Sequence, residues 1–600
     1  MQALKEAAEQ CAAEFLEAFQ RIDGELGTES KSEFHGIDAF VNRLNRFKAA
    51  FDNLVRQTEV TTIRQRNALL PIQKLPEELL RLIFHITLLV SADRRRSHYV
   101  RRISALRAVS WAWRGLIDRT PLFWTHISSN DHPDFVSNAL ERSLNLPLYL
   151  KHTVPTAPAR RPAFFDKVSA HQNRWKYVVL HEPTAELLQT YFHVPNPSIT
   201  GLLLSTDTGY ASGEASLNKL LGGEIANLEE LRAVRWKNIV WSEVHFRQLR
   251  VLEIEDYHML GMGVIFDILA ENPCLEIFRL HSIVFARYTL PSPTPPPINL
   301  DRLVELKLVN IEQVVETETG GKDAAITRLL RRIRIPACSN FEMDSWLKDG
   351  PGISSEELVD LIPPPMQVIA RGRLETSDTR PVVVDACFGE GNFQFKAVRG
   401  SRSRPSFAIK LGALPRSIAK KWITEQMEEE SAQTLDLRLR FEYPEGELSL
   451  DDISYFQRWE SVTSLDINGR SLPPYPSSRE FLWHLSTPFV SETRGETMPF
   501  PRLKNLRLFD LPFKGKDLVN SITLRFGSDA PAPEELAIIL ADGLAGRPEW
   551  YIDSIKTIPG VKDVRLSDDL DEMCSVSSVS DWPPHERSIS SSCSTESCEG

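Results

Sequence analysis

The sequence predicts an α/β protein: helices over roughly its first fifth, then strands alternating with helices along most of the rest. Three observations lead there. Up to about residue 127, apolar residues recur at spacings of three and four, the period of one helix face. From about residue 170 the pattern changes to apolar-x-x-apolar-x-apolar, whose alternating end suits a short strand with one buried face. Many of these units run on into an apolar helical stretch, such as GMGVIFDILAENP (261–273) or AAITRLLRRIRIP (324–336).

Composition narrows the function classes. The chain has 600 residues, 42% hydrophobic and 25% charged, enough for several domains or one long array of repeats. Its net charge of −11 is small for this length and makes no case for a nucleic-acid binder. No run approaches the ~18 apolar residues of a membrane span. The start, MQALKEAAEQCAAEFLEAF, is charged and helical, with neither the apolar core nor the cleavage site of a secretory signal. Seven scattered cysteines, an odd number without CxxC spacing, argue against a disulfide framework or a structural zinc site. They suit a reducing compartment, so a cytoplasmic or nuclear location is expected.

Residues 1–69 should form a helical hairpin or a short coiled coil. Leu4, Ala8, Cys11, Phe15, Ala18, Ile22 and Leu26 make one stripe, GTESKSE (27–33) breaks it, and Phe40, Leu44, Phe47, Phe51, Leu54 and Thr58 make a second.

Residues 70–127 open with LPIQKLPEELLRLIF (70–84). Pro76 suits a first helical position, and Glu77 and Glu78 then face the positive end of the helix dipole. The helix should run from Pro76 to about Val90. Leu79, Ile83, Ile86 and Val90 form one stripe and Leu80, Phe84 and Leu88 another, with Leu82 and Leu89 between them. A helix apolar on so many sides must be covered by the rest of the chain or by a partner. A second helix is expected over Ile103–Ile117, with Ile103, Leu106, Val109, Trp113 and Leu116 inward. RTPLFWTHI (119–127) closes the segment.

Residues 128–170 read as a linker or a cap to the first repeat, with a boundary at the proline-rich TVPTAPARRP (153–162). Over 171–572 the three-position pattern recurs as Trp175-Val178-Leu180, Ile199-Leu202-Leu204, Leu249-Leu252-Ile254, Leu275-Phe278-Leu280, Leu303-Leu306-Leu308 and Cys338-Phe341-Met343. It continues as Ala432-Leu435-Leu437, Val462-Leu465-Ile467, Leu503-Leu506-Leu508 and Val561-Val564-Leu566, and NLEELRAVRW (227–236) supplies an intermediate copy. A strand-plus-helix unit returning about every 20–29 residues is the mark of an irregular leucine-rich-repeat solenoid. The stretch 344–431, with PPP (363–365) and VVVDACFGEGNFQF (382–395), breaks the rhythm as an insertion. The serine-rich tail, 573–600, carries too few large apolar residues to offset its ordering entropy and should be disordered.

LPEELLRLIF (75–84), LRAVSWAWRGLI (106–117) and PLFWTHI (121–127) together resemble an F-box. Leu75, Pro76, Glu78, Leu79, Ile83 and Phe84 match its first block. Leu106, Val109, Ser110, Trp113 and Arg114 match its second, and Pro121, Trp124 and Ile127 its third, where Phe123 stands at the usual Leu. With the helices before it and the irregular repeats after it, the chain is similar to the F-box proteins expanded in mushroom-forming fungi. The resemblance implies a three-helix module that docks on the Skp-type adaptor of an SCF (cullin–RING) ubiquitin ligase, while the repeats hold a protein substrate. It implies adaptor contacts at Leu75, Pro76, Leu79, Ile83, Leu106, Val109 and Trp113, and a rim contact at Glu78. The chain itself would then be no enzyme and would need no cofactor. The alternative is a repeat-based protein-binding scaffold without ligase coupling, in which the 76–90 helix packs on its own chain and buries Leu79 and Ile83. SADRRRSHYVRR (91–102) is longer and more basic than a compact F-box needs. It reads as a solvated insertion, or as a nuclear-localisation or acidic-partner patch.

No GxxxxGK[ST], HExxH or GxSxG motif occurs, and GEG at 389–391 lacks the strand–turn–helix setting of a dinucleotide loop. Nothing favours a hydrolytic triad, and Trp111, Trp113 and Trp124 suit core and interface anchoring better than a cofactor cage.

Overall fold

In the computed structural model, the residues described are 33–89, 99–153, 160–194, 196–206, 227–236, 245–286, 296–313, 325–346, 360–371, 382–389, 392–399, 407–412, 435–442, 461–468, 477–491, 495–509, 515–526, 536–541, 550–558 and 561–567, with a few single positions besides. The protein is mixed α/β with a large, mainly parallel sheet. It divides into two compact units, Met1–His181 and Glu182–Gly600. The expected helix over 4–26 and the serine-rich tail lie outside the described residues.

The first helix with described bounds in the first unit is α1 (Glu33–Ala68), over the second predicted stripe. The two Leu-Pro pairs then punctuate the chain. Leu70 and Leu75 are both extended, as a residue before proline must be, with ψ of 139° and 141°. Pro71–Lys74 makes a 3-10 turn between them, and α2 (Glu77–Leu89) starts directly after Pro76, whose carbonyl accepts from the Leu79 and Leu80 amides.

The single helix expected over 103–117 is two helices, α3 (Tyr99–Val109) and α4 (Trp111–Asp118). Ser110 is the reason. It leaves helical geometry (φ −157°, ψ 161°), and its hydroxyl accepts from the Trp113 amide at 3.1 Å, an N-cap that ends one helix by starting the next. The break resets the helical phase. Ile103, Trp113, Leu116 and Ile117 are buried, Leu106 is half-buried, and Val109, expected inward, is exposed. Past a 3-10 turn at Pro121–Trp124, β1 (His126–Ser128) pairs in parallel with β2 (Leu148–His152), and β2 with β3 (Trp175–His181). Helices α5 (Pro133–Arg142) and α6 (Arg160–Ser169) lie between these strands in sequence. The strand rhythm thus starts at 126 rather than 171, and the proline-rich 153–162 joins two paired strands rather than separating domains.

The second unit runs α7 (Ala185–Tyr191), β4 (Gly201–Ser205), β5 (Glu230–Val234), β6 (Val251–Leu260), α8 (Met262–Glu271), β7 (Ile277–Phe285), β8 (Ile298–Asn299), β9 (Glu305–Gln313), α9 (Ala325–Arg332), β10 (Ile333–Arg334) and β11 (Asn340–Trp346). Strands β4, β5, β6, β7, β9 and β11 pair in that order, all parallel, while β8 and β10 form a small pair of their own. The register aligns the repeated triplets: Leu202, Leu231, Leu252, Phe278, Leu306 and Phe341 stand side by side, each at most 2% exposed. Leu204, Ala233, Ile254, Leu280, Leu308 and Met343 form the next column, equally buried.

The stretch 344–431 interrupts the repeat in sequence but not the sheet. After α10 (Pro365–Arg371), β12 (Val382–Gly389), β13 (Asn392–Arg399) and β14 (Phe407–Gly412) form an antiparallel meander, tightly turned so that Gly389 faces Asn392. Strand β14 pairs in parallel with β11 and β12 in parallel with β15 (Leu435–Glu442), so among these described strands β13 alone runs against its neighbours. The meander keeps the alternation of its neighbours, with Val382, Val384, Phe393, Phe395, Phe407 and Ile409 buried and Trp422 against three of the Phe rings. Beyond it come β16 (Val462–Asn468), α11 (Ser477–Ser486), β17 (Phe489–Ser491), β18 (Gly495–Thr497), β19 (Asn505–Phe509), α12 (Gly515–Phe526), β20 (Leu536–Ala541), α13 (Trp550–Lys556) and β21 (Val561–Ser567). Strands β15, β16, β19, β20 and β21 continue the parallel pairing.

The other side of the strands is charged. Arg232, Glu253, Arg279, Lys307 and Glu342 stand in register. Glu253 lies 3.4 Å from Arg232 and 3.3 Å from Arg279, Arg279 is 2.8 Å from Glu305, and Lys307 is 2.5 Å from Glu342. Farther along, Asp466 sits between Arg438 at 3.5 Å and Arg507 at 3.4 Å.

Candidate partner-binding face

The two stripes of α2 part company. Leu80, Phe84 and Leu88 are buried. Phe84 meets Trp113 of α4 at 4.6 Å between ring centroids and Phe123 at 6.4 Å. The indole N–H of Trp124 donates to the Ile117 carbonyl at 3.0 Å, which ties the closing turn to α4. These aromatics complete a small core using one side of α2.

On the other side, Leu79, Leu82, Ile83 and Ile86 are between 40 and 52% exposed. They sit at i, i+3, i+4 and i+7, one helix face. Burying the remaining half of each would contribute about 1 kcal/mol apiece, which the chain itself leaves unused. Nearby in sequence, Val109 (50%), Trp111 (71%) and Leu122 (43%) are exposed as well.

The eight residues implicated by the sequence therefore separate. Pro76, Glu78, Leu79, Ile83 and Val109 are exposed, and Leu75 and Leu106 are half-buried. Trp113 is 8% exposed with its ring on Phe84, so it supports the module from inside and is no surface contact. Two side chains missing from that set, Leu82 and Ile86, lie on the exposed stripe. Ile86 follows from the 79-83-86 spacing, whereas Leu82 falls between the two stripes in the sequence. The three tryptophans divide too: Trp113 and Trp124 are core, and Trp111 is surface.

The charges around α2 are uneven. Glu77, at its first turn, is gripped by Arg119 and lies 3.4 Å from Arg81; the Arg119 hydrogen bond holds its carboxyl below the ordinary range. At the other end, Arg102 donates to the Thr87 carbonyl at 3.4 Å. Asp118 is shared by Arg107 at 2.9 Å and Arg142 at 2.7 Å, and Arg142 also lies 4.7 Å above the Trp124 ring. Of the basic stretch 91–102, residues 99–102 form the first turn of α3, and 91–98 lie outside the described residues.

Two largely covered titratable groups lie in and just after β1. His126 is sandwiched between Tyr99 at 4.8 Å and Tyr149 at 4.5 Å, and burial lowers its pKa to about 4. Asp131 accepts from the Ser128 amide at 2.7 Å, yet burial raises its carboxyl to about 6. Among the described residues no three His, Cys, Asp or Glu side chains gather as a metal site, and no helix is long and apolar enough to cross a membrane. Compared with known proteins, the sequence matches no family model and no curated protein.

Proposed function

We propose that this chain is the substrate-recognition subunit of an SCF ubiquitin ligase, with residues 70–127 acting as an F-box and the strands from 126 onward as an irregular leucine-rich-repeat-like solenoid. One observation carries the reading: α2 completes its own core with Leu80, Phe84 and Leu88 and still presents Leu79, Leu82, Ile83 and Ile86 to solvent. An apolar helix face left open beside a finished core is what a helix-in-groove partner needs. The Skp-type adaptor is that partner in this reading, a protein substrate binds the repeats, and the chain performs no bond chemistry and works in the cytoplasm or nucleus. The scaffold alternative expects Leu79 and Ile83 to be buried in the isolated chain. Both are exposed, which favours the adaptor reading.

The test is co-purification of the full chain with a Skp-type adaptor. Leu79→Glu/Ile83→Glu should abolish capture while leaving the circular dichroism spectrum and melting temperature close to those of the parent, because both side chains already face water. Leu75→Ala/Pro76→Ala should weaken capture. Full capture by both double variants would overturn the proposal.

A further inference from the structure

We infer that the partner seated on the exposed α2 stripe is acidic: it surrounds an apolar groove with carboxylates that take up positive charge left over on this module. The inference rests on the adaptor reading and adds the chemistry of the partner's rim. Over residues 70–89 and 99–128 there are seven Lys and Arg against three Asp and Glu, a net of +4 in a chain whose total is −11.

The geometry shows that this excess is not neutralised locally. Each of two carboxylates serves two guanidinium groups: Glu77 holds Arg81 and Arg119, and Asp118 holds Arg107 and Arg142. The Asp118 cluster therefore keeps one positive charge, while at the first turn of α2 the exposed Glu78 balances what Glu77 leaves over. Lys74, Arg101 and Arg114 are exposed and add more. The charge also stands where a partner on the stripe would meet it. Arg81 and Arg119 reach the first turn of α2, where Glu77 and Glu78 match them and the exposed Lys74 just before it adds a charge, and Arg102 reaches its last turn at Thr87. An apolar strip of Leu and Ile within a segment of net charge +4 suits a protein groove rimmed by Asp and Glu. It suits a nucleic-acid backbone poorly, since a phosphate chain gains nothing from four aliphatic side chains.

Rim charges act mainly on the rate of association and on its salt dependence, whereas the buried apolar contact governs dissociation. The experiment is stopped-flow or biosensor kinetics of the full chain with the purified Skp-type adaptor. Association should slow on the order of tenfold between low and high salt, as screening shortens the reach of the charges. Lys74→Glu/Arg101→Glu/Arg114→Glu should slow it by a similar factor at low salt and leave the dissociation rate within about twofold. Arg502→Glu/Lys504→Glu, an equal kind of reversal on the second unit, should change neither rate. A complex that forms with a salt-independent rate, or is indifferent to the triple reversal, overturns the acidic-rim inference and leaves the adaptor reading standing. No complex at all overturns both. Tighter binding of the chain to a short DNA duplex than to the adaptor, lost in the triple variant, would assign the charge to nucleic acid and likewise overturn it.

Discussion

The α2 helix and the strands of the second unit both carry apolar residues on a regular period, yet they leave opposite kinds of surface to water. In strands β4 to β11, both columns built from the triplets are sealed, and the side facing away from them bears alternating charges that pair across the sheet, as in Arg232–Glu253–Arg279–Glu305. In α2, one apolar stripe is sealed and the other is open. The sequence can evidently clothe a solvent face in paired charges, and does so over and over. On α2 it places Leu and Ile instead. The difference teaches that the open stripe is a feature of that helix and no general shortage of polar residues.

The sharpest way to break this contrast is to truncate one residue of each kind. Phe278→Ala, in a fully buried column, should cost about 3–5 kcal/mol and lower the melting temperature by several degrees. Leu82→Ala, on the open stripe, should cost no more than about 0.5 kcal/mol. If thermal melts show comparable losses for the two, Leu82 is packed in solution and the exposed face does not exist.

A second pair of predictions concerns the junction at β1. Asp131 has a folded pKa of about 6, above its ordinary value, so the folded state binds the proton more tightly than the unfolded state does. Its contribution is favourable below about pH 4 and is lost as pH rises through 6. His126, lowered to about 4, has the opposite sense: it favours folding above about pH 6.5, and that gain is lost as pH falls toward 4. The two slopes oppose each other across the same window, so the wild type should show little net pH dependence there. Replacing one exposes the other. Asp131→Asn can keep an oxygen for the Ser128 amide while removing the buried charge. It should be more stable than the parent by up to about 3 kcal/mol at pH 7.5, with the advantage gone by pH 4. Melts of both proteins across pH 4–8 measure it, and a pH-independent difference would show that Asp131 is not titrating in this range.

A smaller effect is expected on the charged side of the strands. Glu253→Gln keeps the shape but leaves Arg232 and Arg279 facing each other across one neutral group. With all three side chains mostly covered, the loss should be about 1–2 kcal/mol. Chemical denaturation that gives no change would mean the ladder is ornamental to stability and free for contacts with a substrate.

How much of this was legible beforehand follows from what each pattern encodes. The triplets were readable because period and burial are the same fact in a strand: Leu249-Leu252-Ile254 is fully buried, and the intermediate copy at Leu228-Leu231-Ala233 is at most 1% exposed. The two α2 stripes were readable for the same reason. The break at Ser110 was hidden, because LRAVSWAWRGLI keeps a helical period through a residue whose capping hydrogen bond only geometry reveals. That one cap moved Val109 outward, and the packing of Trp113 on Phe84 fixed which tryptophans are core. Nor did the sequence show the meander joining the sheet. Parallel pairing of β14 with β11 is a long-range choice that no local pattern in 382–412 specifies.

One further regularity had no visible motif at all. Glu182, Arg235, Asp256, Ser282 and Asn310 all have φ between 46° and 56°, and the register puts the last four of them at the same step, five residues beyond the shared start of β5, β6, β7 and β9. A left-handed residue at the same place in successive strands bends each one alike, so the column belongs to the repeat as surely as the buried triplets do. Left-handed geometry costs an ordinary L-residue about 1–2 kcal/mol, and glycine escapes that cost at the expense of about 0.5–1 kcal/mol of unfolded-state entropy. Asp256→Gly should therefore be neutral or stabilising by a few tenths of a kcal/mol, its exposed ion pair with Arg235 counting little, and Asp256→Val should be destabilising by about 1–2 kcal/mol. Glu255→Gly, one residue before the bend in β6, meets ordinary extended backbone and should cost about 1 kcal/mol. Opposite signs for the same glycine substitution at the bend and beside it would tie the strain to that column. Equal losses at both would show that the bend is imposed by the sheet pairing alone, with the residue at φ near 50° contributing no strain of its own.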